Sequence, residues 1–83
     1  MTQWTVYILK CNDNSYYTGI TNNLKKRLDD HTNGKGAKYM RGRTPFDLVF
    51  SESHPDRSSV SKRENEIKKL TKTEKEILIT QGR

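Results

Sequence analysis

Eighty-three residues, 30% hydrophobic and 31% charged, allow one small domain with a thin core and a heavily ionic surface. Sixteen lysines and arginines against ten acids leave a net charge of +6, which favours a polyanionic partner, while no apolar run approaches the roughly 18 residues of a membrane span and no signal-peptide pattern is read. Cys11 is the only cysteine, which excludes an internal disulfide and a cysteine-built zinc cage and makes the cytoplasm the expected compartment.

Residues 4–10 (WTVYILK) are dense in β-branched and aromatic types and read as a strand. Asn12, Asp13, Asn14 and Ser15 form a turn cluster, and residues 16–20 read as the hairpin partner. Centring the loop on Asp13 makes paired residue numbers sum to an even total, which puts Tyr7, Leu9, Tyr17 and Gly19 on one face. A loop one residue longer or shorter would part the two tyrosines. Gly19 reads either as a place where a ligand approaches the backbone or as a simple bend.

Thr21, Asn22 or Asn23 caps a first helix that Gly34 ends. At about 100° per residue, Arg27 and His31 fall at about 300° and about 340° from Leu24, beside Leu24 and Leu28 on the inward stripe. Either polar residue alone reads as packing; the two together, one turn apart and downstream of a tyrosine-bearing strand, read as a site. The next segment, GKGAKYMRGRTP, sets Lys35, Lys38, Arg41 and Arg43 around Tyr39 with glycines between. That composition suits a phosphate-tracking loop and equally a solvated connector, but it is no P-loop, because no Gly-Lys-Ser/Thr follows a strand.

Residues 46–51 alternate Phe46, Leu48 and Phe50 with Asp47, Val49 and Ser51 and read as a third strand. A loop around His54, Pro55 and Asp56 leads to a helix over about residues 58–70, and Thr71 with Glu74 forms a capping box for a last short helix that ends before Gly82. The order β-β-α-β-α-α predicts a single α+β domain over residues 1–83, a small three-stranded antiparallel sheet flanked by helices. Taking Val60 as zero, Ile67 falls at about 340° and Glu64 at about 40°, so Glu64 borders the apolar stripe. A carboxylate in a partly dry wall has to be paired, protonated or metal-bound, which makes Glu64 the best candidate metal ligand. The competing reading starts the helix at Ser61 and makes Ser61 and Glu64 a capping box.

Val6-Tyr7-Ile8 and Tyr17-Thr18-Gly19, followed by Arg27, His31 and Glu64, resemble the motif set of the GIY-YIG endonucleases over essentially the whole chain. AKYMRGR and KRENEIKKL are further marks of the small stand-alone bacterial members, and the core motif is similar to the N-terminal nuclease domain of the excision-repair endonuclease. Val6 stands for the first glycine, Thr18 for the second isoleucine, and Ile20 where the repair nuclease is expected to have a lysine, so Lys35 or Lys38 is the candidate substitute cation.

The resemblance implies the GIY-YIG fold and a metal-dependent endonuclease that hydrolyses DNA phosphodiester bonds, with structured or branched DNA in repair or recombination as the expected substrate and RNA as a second candidate. In this reading Glu64 holds Mg²⁺ or Mn²⁺, with mostly water completing the shell. Arg27 forks onto the phosphate. Tyr17 orients or deprotonates the attacking water, His31 is the alternative base, Tyr7 positions the water and Gly19 supports the site. An ordinary phenol, with a pKa near 10, needs cations beside it to act as a base. Lys35, Lys38, Tyr39, Arg41 and Arg43 are the expected nucleic-acid contacts, no membrane is involved, and a monomer is the default. The alternative function is a nucleic-acid-binding module that keeps the fold with little or no turnover. The full set Tyr7, Tyr17, Arg27, His31 and Glu64 favours catalysis, because binding alone has no use for a glutamate that repels phosphate.

Overall fold

A computed structural model describes residues 3–36, 38–40 and 42–81. Its sheet has three antiparallel strands, with β1 (Trp4–Cys11) in the centre, β2 (Tyr16–Thr21) on one side and β3 (Phe46–His54) on the other. Helix α1 (Leu24–Thr32) follows β2, a single 3-10 turn (Lys38–Met40) precedes β3, and α2 (Arg57–Lys68) and α3 (Lys72–Gln81) close the chain. The predicted order and fold class therefore hold.

The hairpin closes where the turn residues require it. Cys11 N donates to Ser15 O at 2.8 Å, Ser15 N donates to Asp13 Oδ1 at 3.0 Å, and Asn14 takes φ 67°, a left-handed conformation that asparagine tolerates. Tyr7 then pairs with Gly19 and Leu9 with Tyr17, the expected register. Four successive residues of β1, Val6 to Leu9, are fully buried because the central strand is covered on both faces. Val6 and Ile8 pack with Phe50, Val60 and Ile67, against which Leu78 and Ile79 also lie, so α2 and α3 cover one face. Tyr7, Leu9 and Cys11 pack with Met40, Leu24, Leu28 and Phe46, so α1 and the 3-10 turn cover the other. Each fully buried aliphatic or aromatic side chain contributes roughly 1.5–3 kcal/mol, and a chain this short depends on both small clusters.

The third strand departs from its sequence reading in two ways. It runs three residues further, to His54, because the N-terminal half of β1 needs a second partner: Trp4 pairs with His54 and Val6 with Glu52. It also carries a bulge, since Ile8 pairs with Phe50 but Leu9 with Leu48, which leaves Val49 as the extra residue. The bulge reverses the facing of the strand, so Phe46 packs with the Tyr7 cluster while Phe50 packs with Val6 and Ile8. His54 is accordingly no loop residue. Its Nε2 meets Glu52 Oε1 at 2.7 Å, its Nδ1 meets Ser59 Oγ at 3.2 Å, and Arg63 Nε donates to the same Glu52 oxygen at 3.0 Å, tying the strand end to α2.

Helix α2 starts at Arg57, with Asp56 as its cap accepting from Ser59 N at 2.8 Å, and stops at Lys68, short of the expected Leu70. The Thr71–Glu74 box forms as read: Thr71 N donates to Glu74 Oε1 at 2.8 Å and Glu74 N to Thr71 Oγ1 at 3.2 Å. Among the described residues no helix is long and apolar enough to cross a membrane.

Candidate active site

The site is built where β2 hands over to α1. Thr21 Oγ1 accepts from Asn23 N at 3.0 Å, and the Asn23 side chain caps α1 by accepting from Lys26 N at 3.2 Å, so the chain turns from the edge strand directly into the helix. The turn lays α1 across the face that carries Tyr7 and Tyr17, with Arg27 half-buried and His31 buried to 1% exposure. At its far end α1 is closed by Gly34, whose φ of 74° lies in the region where glycine is at no disadvantage.

Tyr7 is fully buried, its ring laid over Gly19, and its Oη is 2.9 Å from His31 Nε2. A Cβ on Gly19 would come within 2.6 Å of that oxygen and 3.0 Å of the Tyr17 ring. Gly19 is therefore needed for a close approach, and the occupant is the chain's own tyrosine. Tyr17, half-buried, stands edge-on to His31 at 5.5 Å between centroids and stacks on Tyr39 at 5.7 Å and 24°. Phe46 meets the other side of His31 edge-on at 6.2 Å.

Burial pushes the Tyr7 phenol up to about 12, with Arg27 opposing and the charges of Tyr17 and Glu64 adding. Tyr7 is thus a protonated hydroxyl across the physiological range. Burial, and then the Arg27 guanidinium, hold the His31 pKa below its ordinary value, against the pull of Asp30. Burial pulls Arg27 down, but the Tyr7 and Tyr17 hydroxyls outweigh it and the net shift is upward. One permanent cation, two phenols and a neutral imidazole therefore share one corner.

Glu64 lies on α2, the helix covering the opposite face, yet its charge is felt at the Tyr7 hydroxyl. Its side chain is 18% exposed and meets Lys68 Nζ at 3.3 Å. Because α2 is capped at Asp56, the reading of Ser61 and Glu64 as a capping box is overturned: Glu64 is a mid-helix residue with no cap to make. Among the described residues no cluster of three or more His, Cys, Asp or Glu is placed to hold an ion. A single half-buried carboxylate does not fit zinc, but it fits a hard cation that keeps several waters, as Mg²⁺ does.

Lys35 and Lys38 are exposed on the connection between α1 and β3, and Arg41 lies outside the described residues. Tyr39 is 40% exposed. Arg43 sits 4.1 Å over the Tyr39 ring, its Nη1 donates to Tyr39 O at 2.7 Å, and its Nε faces Asp13 Oδ2 at 3.5 Å without a directed hydrogen bond. Arg43 is therefore committed to bracing the loop. Sequence reasoning missed three residues that shape the corner. Gly36 lies so close that a Cβ there would run into the His31 ring at Nδ1; buried Met40 touches Cys11 Sγ through Sδ at 3.6 Å; and Phe46 walls off His31. The two glycines flanking Lys35 were a usable signal for the first of these, since close backbone approach is a standard use of glycine.

A family model described as the GIY-YIG catalytic domain matches residues 3–77 of this chain. The chain belongs to the GIY-YIG nuclease family. Within it, the UPF0213 protein YazA of Bacillus subtilis is 46% identical over 77 residues, covering 93% of this chain and 78% of that protein, and the UPF0213 protein YhbQ of Escherichia coli K12 is 44% identical over 82 residues, covering 99% and 82%. The solution NMR structure of a UPF0213 protein from Bacillus halodurans matches with a TM-score of 0.62 at 44% identity, over 94% of this chain and 83% of that one. A second solution structure, of a protein from E. faecalis, matches with a TM-score of 0.70 at 36% identity, over 98% and 86%. The two GIY-YIG tripeptides of this chain lie on neighbouring strands, with Tyr7 paired to the glycine of the second.

Proposed function

We propose that this chain, as a single GIY-YIG domain, is a divalent-metal-dependent endonuclease that hydrolyses DNA phosphodiester bonds. The observation that carries this reading is the convergence of Tyr7, Tyr17, Arg27 and His31 on the Gly19 corner, since a binding surface has no need of two phenols and an imidazole held in mutual contact.

Arg27, always protonated, forks onto two non-bridging oxygens of the scissile phosphate and stabilises the charge that builds there. Between the two candidate bases the geometry favours Tyr17 as the residue that meets the attacking water. His31 has Nε2 taken by Tyr7 and is 1% exposed, whereas Tyr17 is half-buried and stacks on the exposed Tyr39. The Tyr7 phenol stays protonated, its Oη lies 2.9 Å from His31 Nε2, and its hydrogen goes to that nitrogen. Tyr7 and His31 are then positioning residues that hold Arg27 and Tyr17 in place. Glu64 is the residue that would hold Mg²⁺ or Mn²⁺, which when bound supplies charge stabilisation at the leaving oxygen. Its ion pair with Lys68, an i,i+4 pair whose lysine is 54% exposed, is worth roughly 0.3–0.5 kcal/mol, too little to hold the carboxylate against a cation.

The test is cleavage of end-labelled single-stranded, duplex, flap and branched DNA with Mg²⁺ or Mn²⁺, by wild type and Glu64→Ala, with binding recorded in parallel. Cleavage falls by about 100-fold or more in the variant while affinity is retained. Binding without cutting by the wild type on every substrate sinks the nuclease reading in favour of a binding module.

A further inference from the structure

Strand β2 is a free edge of the sheet, and a cleft opens at each of its ends. At its C-terminal end a cleft of about 200 Å³ is lined by Thr21, Asn22, Asn23, Lys26, Arg27 and Asp30. At its N-terminal end a larger cleft, of about 340 Å³, is lined by Asn14, Ser15, Tyr16, Tyr39, Lys72 and Lys75, with Asp13 at its rim. Tyr39 joins the second cleft to the catalytic corner, because it stacks on Tyr17 at 5.7 Å. Lys72 Nζ lies 5.9 Å from the centre of the Tyr16 ring, which steadies that ammonium at the cleft wall. Asp13, the one carboxylate among the cleft-lining residues, is already engaged, accepting from Ser15 N and Ser15 Oγ and facing Arg43, while Glu76 on α3 lies close enough for its charge to reach Tyr16. Neither lysine makes an ion pair among the described residues.

Resting on the nuclease reading above, we infer that the bound DNA strand runs along the β2 edge and that Lys72 and Lys75 of α3 form a second phosphate-binding subsite, beyond Tyr39. The dimensions agree. Six residues of strand span about 17 Å, so Arg27 and the lysines sit far enough apart to contact different phosphates a few nucleotides apart on one strand. The arrangement also explains how a chain with a committed Arg43 tracks phosphate: the far anchor comes from a different element, α3.

The experiment is fluorescence anisotropy of a fluorescein-labelled single-stranded oligothymidylate of about 15 nucleotides, without divalent metal so that no cleavage intervenes, across a salt series. Wild type, Lys72→Gln/Lys75→Gln and a control, Lys62→Gln on the exposed face of α2, are compared, with melting temperatures recorded for each. Glutamine removes the charge and is one atom shorter than lysine but keeps its helix propensity, so folding is preserved. The double variant flattens the slope of log affinity against log salt by about 1.4, the value for two contacts on a single strand, while Lys62→Gln leaves it unchanged. An unchanged slope in the double variant overturns the subsite, as does an equal flattening by Lys62→Gln, which would mark a general loss of charge; in both cases the nuclease reading survives. A wild type that binds no oligonucleotide at any salt overturns the subsite, while the nuclease reading is decided by the cleavage assay on the wider substrate panel.

Discussion

Gly19 is the residue on which the corner depends, and its role is a matter of volume. Adding one methyl group there drives it into Tyr7 Oη and Cζ at 2.6 and 2.7 Å. The tyrosine has nowhere to go, being fully buried and hydrogen-bonded to His31. Gly19→Ala therefore destabilises the fold by about 1–3 kcal/mol, the cost of overpacking, and breaks the Tyr7–His31 bond. Urea denaturation reads the first effect; a variant within about 0.5 kcal/mol of wild type would mean that the ring is not confined as described. His31 gives a second prediction. Its folded-state pKa is held down, so between that value and the unfolded-chain value near 6.5 the unfolded state binds a proton that the fold refuses. The contribution to stability is full above about 6.5 and is lost as pH falls through the lower folded value. Melting temperature should fall from neutral pH into the mild-acid range, and His31→Gln should flatten that part of the profile. An identical acid limb in wild type and variant would assign the loss to other groups.

What could be read from the sequence depended on whether the information was local. The hairpin register was legible because the loop is centred on Asp13 and side chains alternate, so parity alone put Tyr7 and Tyr17 together. The α3 cap was legible because its donors and acceptors are three residues apart. Helix periodicity likewise carried Arg27 and His31 to the inward face of α1. The end of β3 was not legible, since Glu52, Ser53 and His54 have no strand character of their own and extend only because Trp4 to Val6 present an unpaired edge. The bulge was hidden for a related reason: Val49 is apolar like its neighbours, and alternation reads the same whether or not one residue is skipped. Arg43 shows the limit for the site. By composition it is a phosphate ligand, and only the placement of Tyr39 and Asp13 around it reveals a brace.

These elements assemble into a chain with one reactive corner and a net charge of +6. Two lysines outside the loop extend its basic surface around the sheet edge, away from α1. Under the proposed function, such a molecule engages DNA through one strand at a time: a single Arg27 and a single Tyr17 would address one scissile phosphate, and the β2 edge would offer a track for one backbone. Hydrolysis of both strands requires a second encounter or a second copy in opposed orientation. The consequence is measurable with supercoiled plasmid and the activating divalent ion. Nicked circles should accumulate first, and linear product should appear only after supercoiled substrate is largely consumed, at a rate per protein that does not rise with protein concentration. Linear product that appears from the outset, with a rate that climbs more steeply than first order in protein, would show instead that two copies act together. In that case the second copy must sit so that its Arg27 corner faces the opposite strand, and the open β2 edge and the exposed Ile77 face of α3 would be the surfaces to examine for its contact.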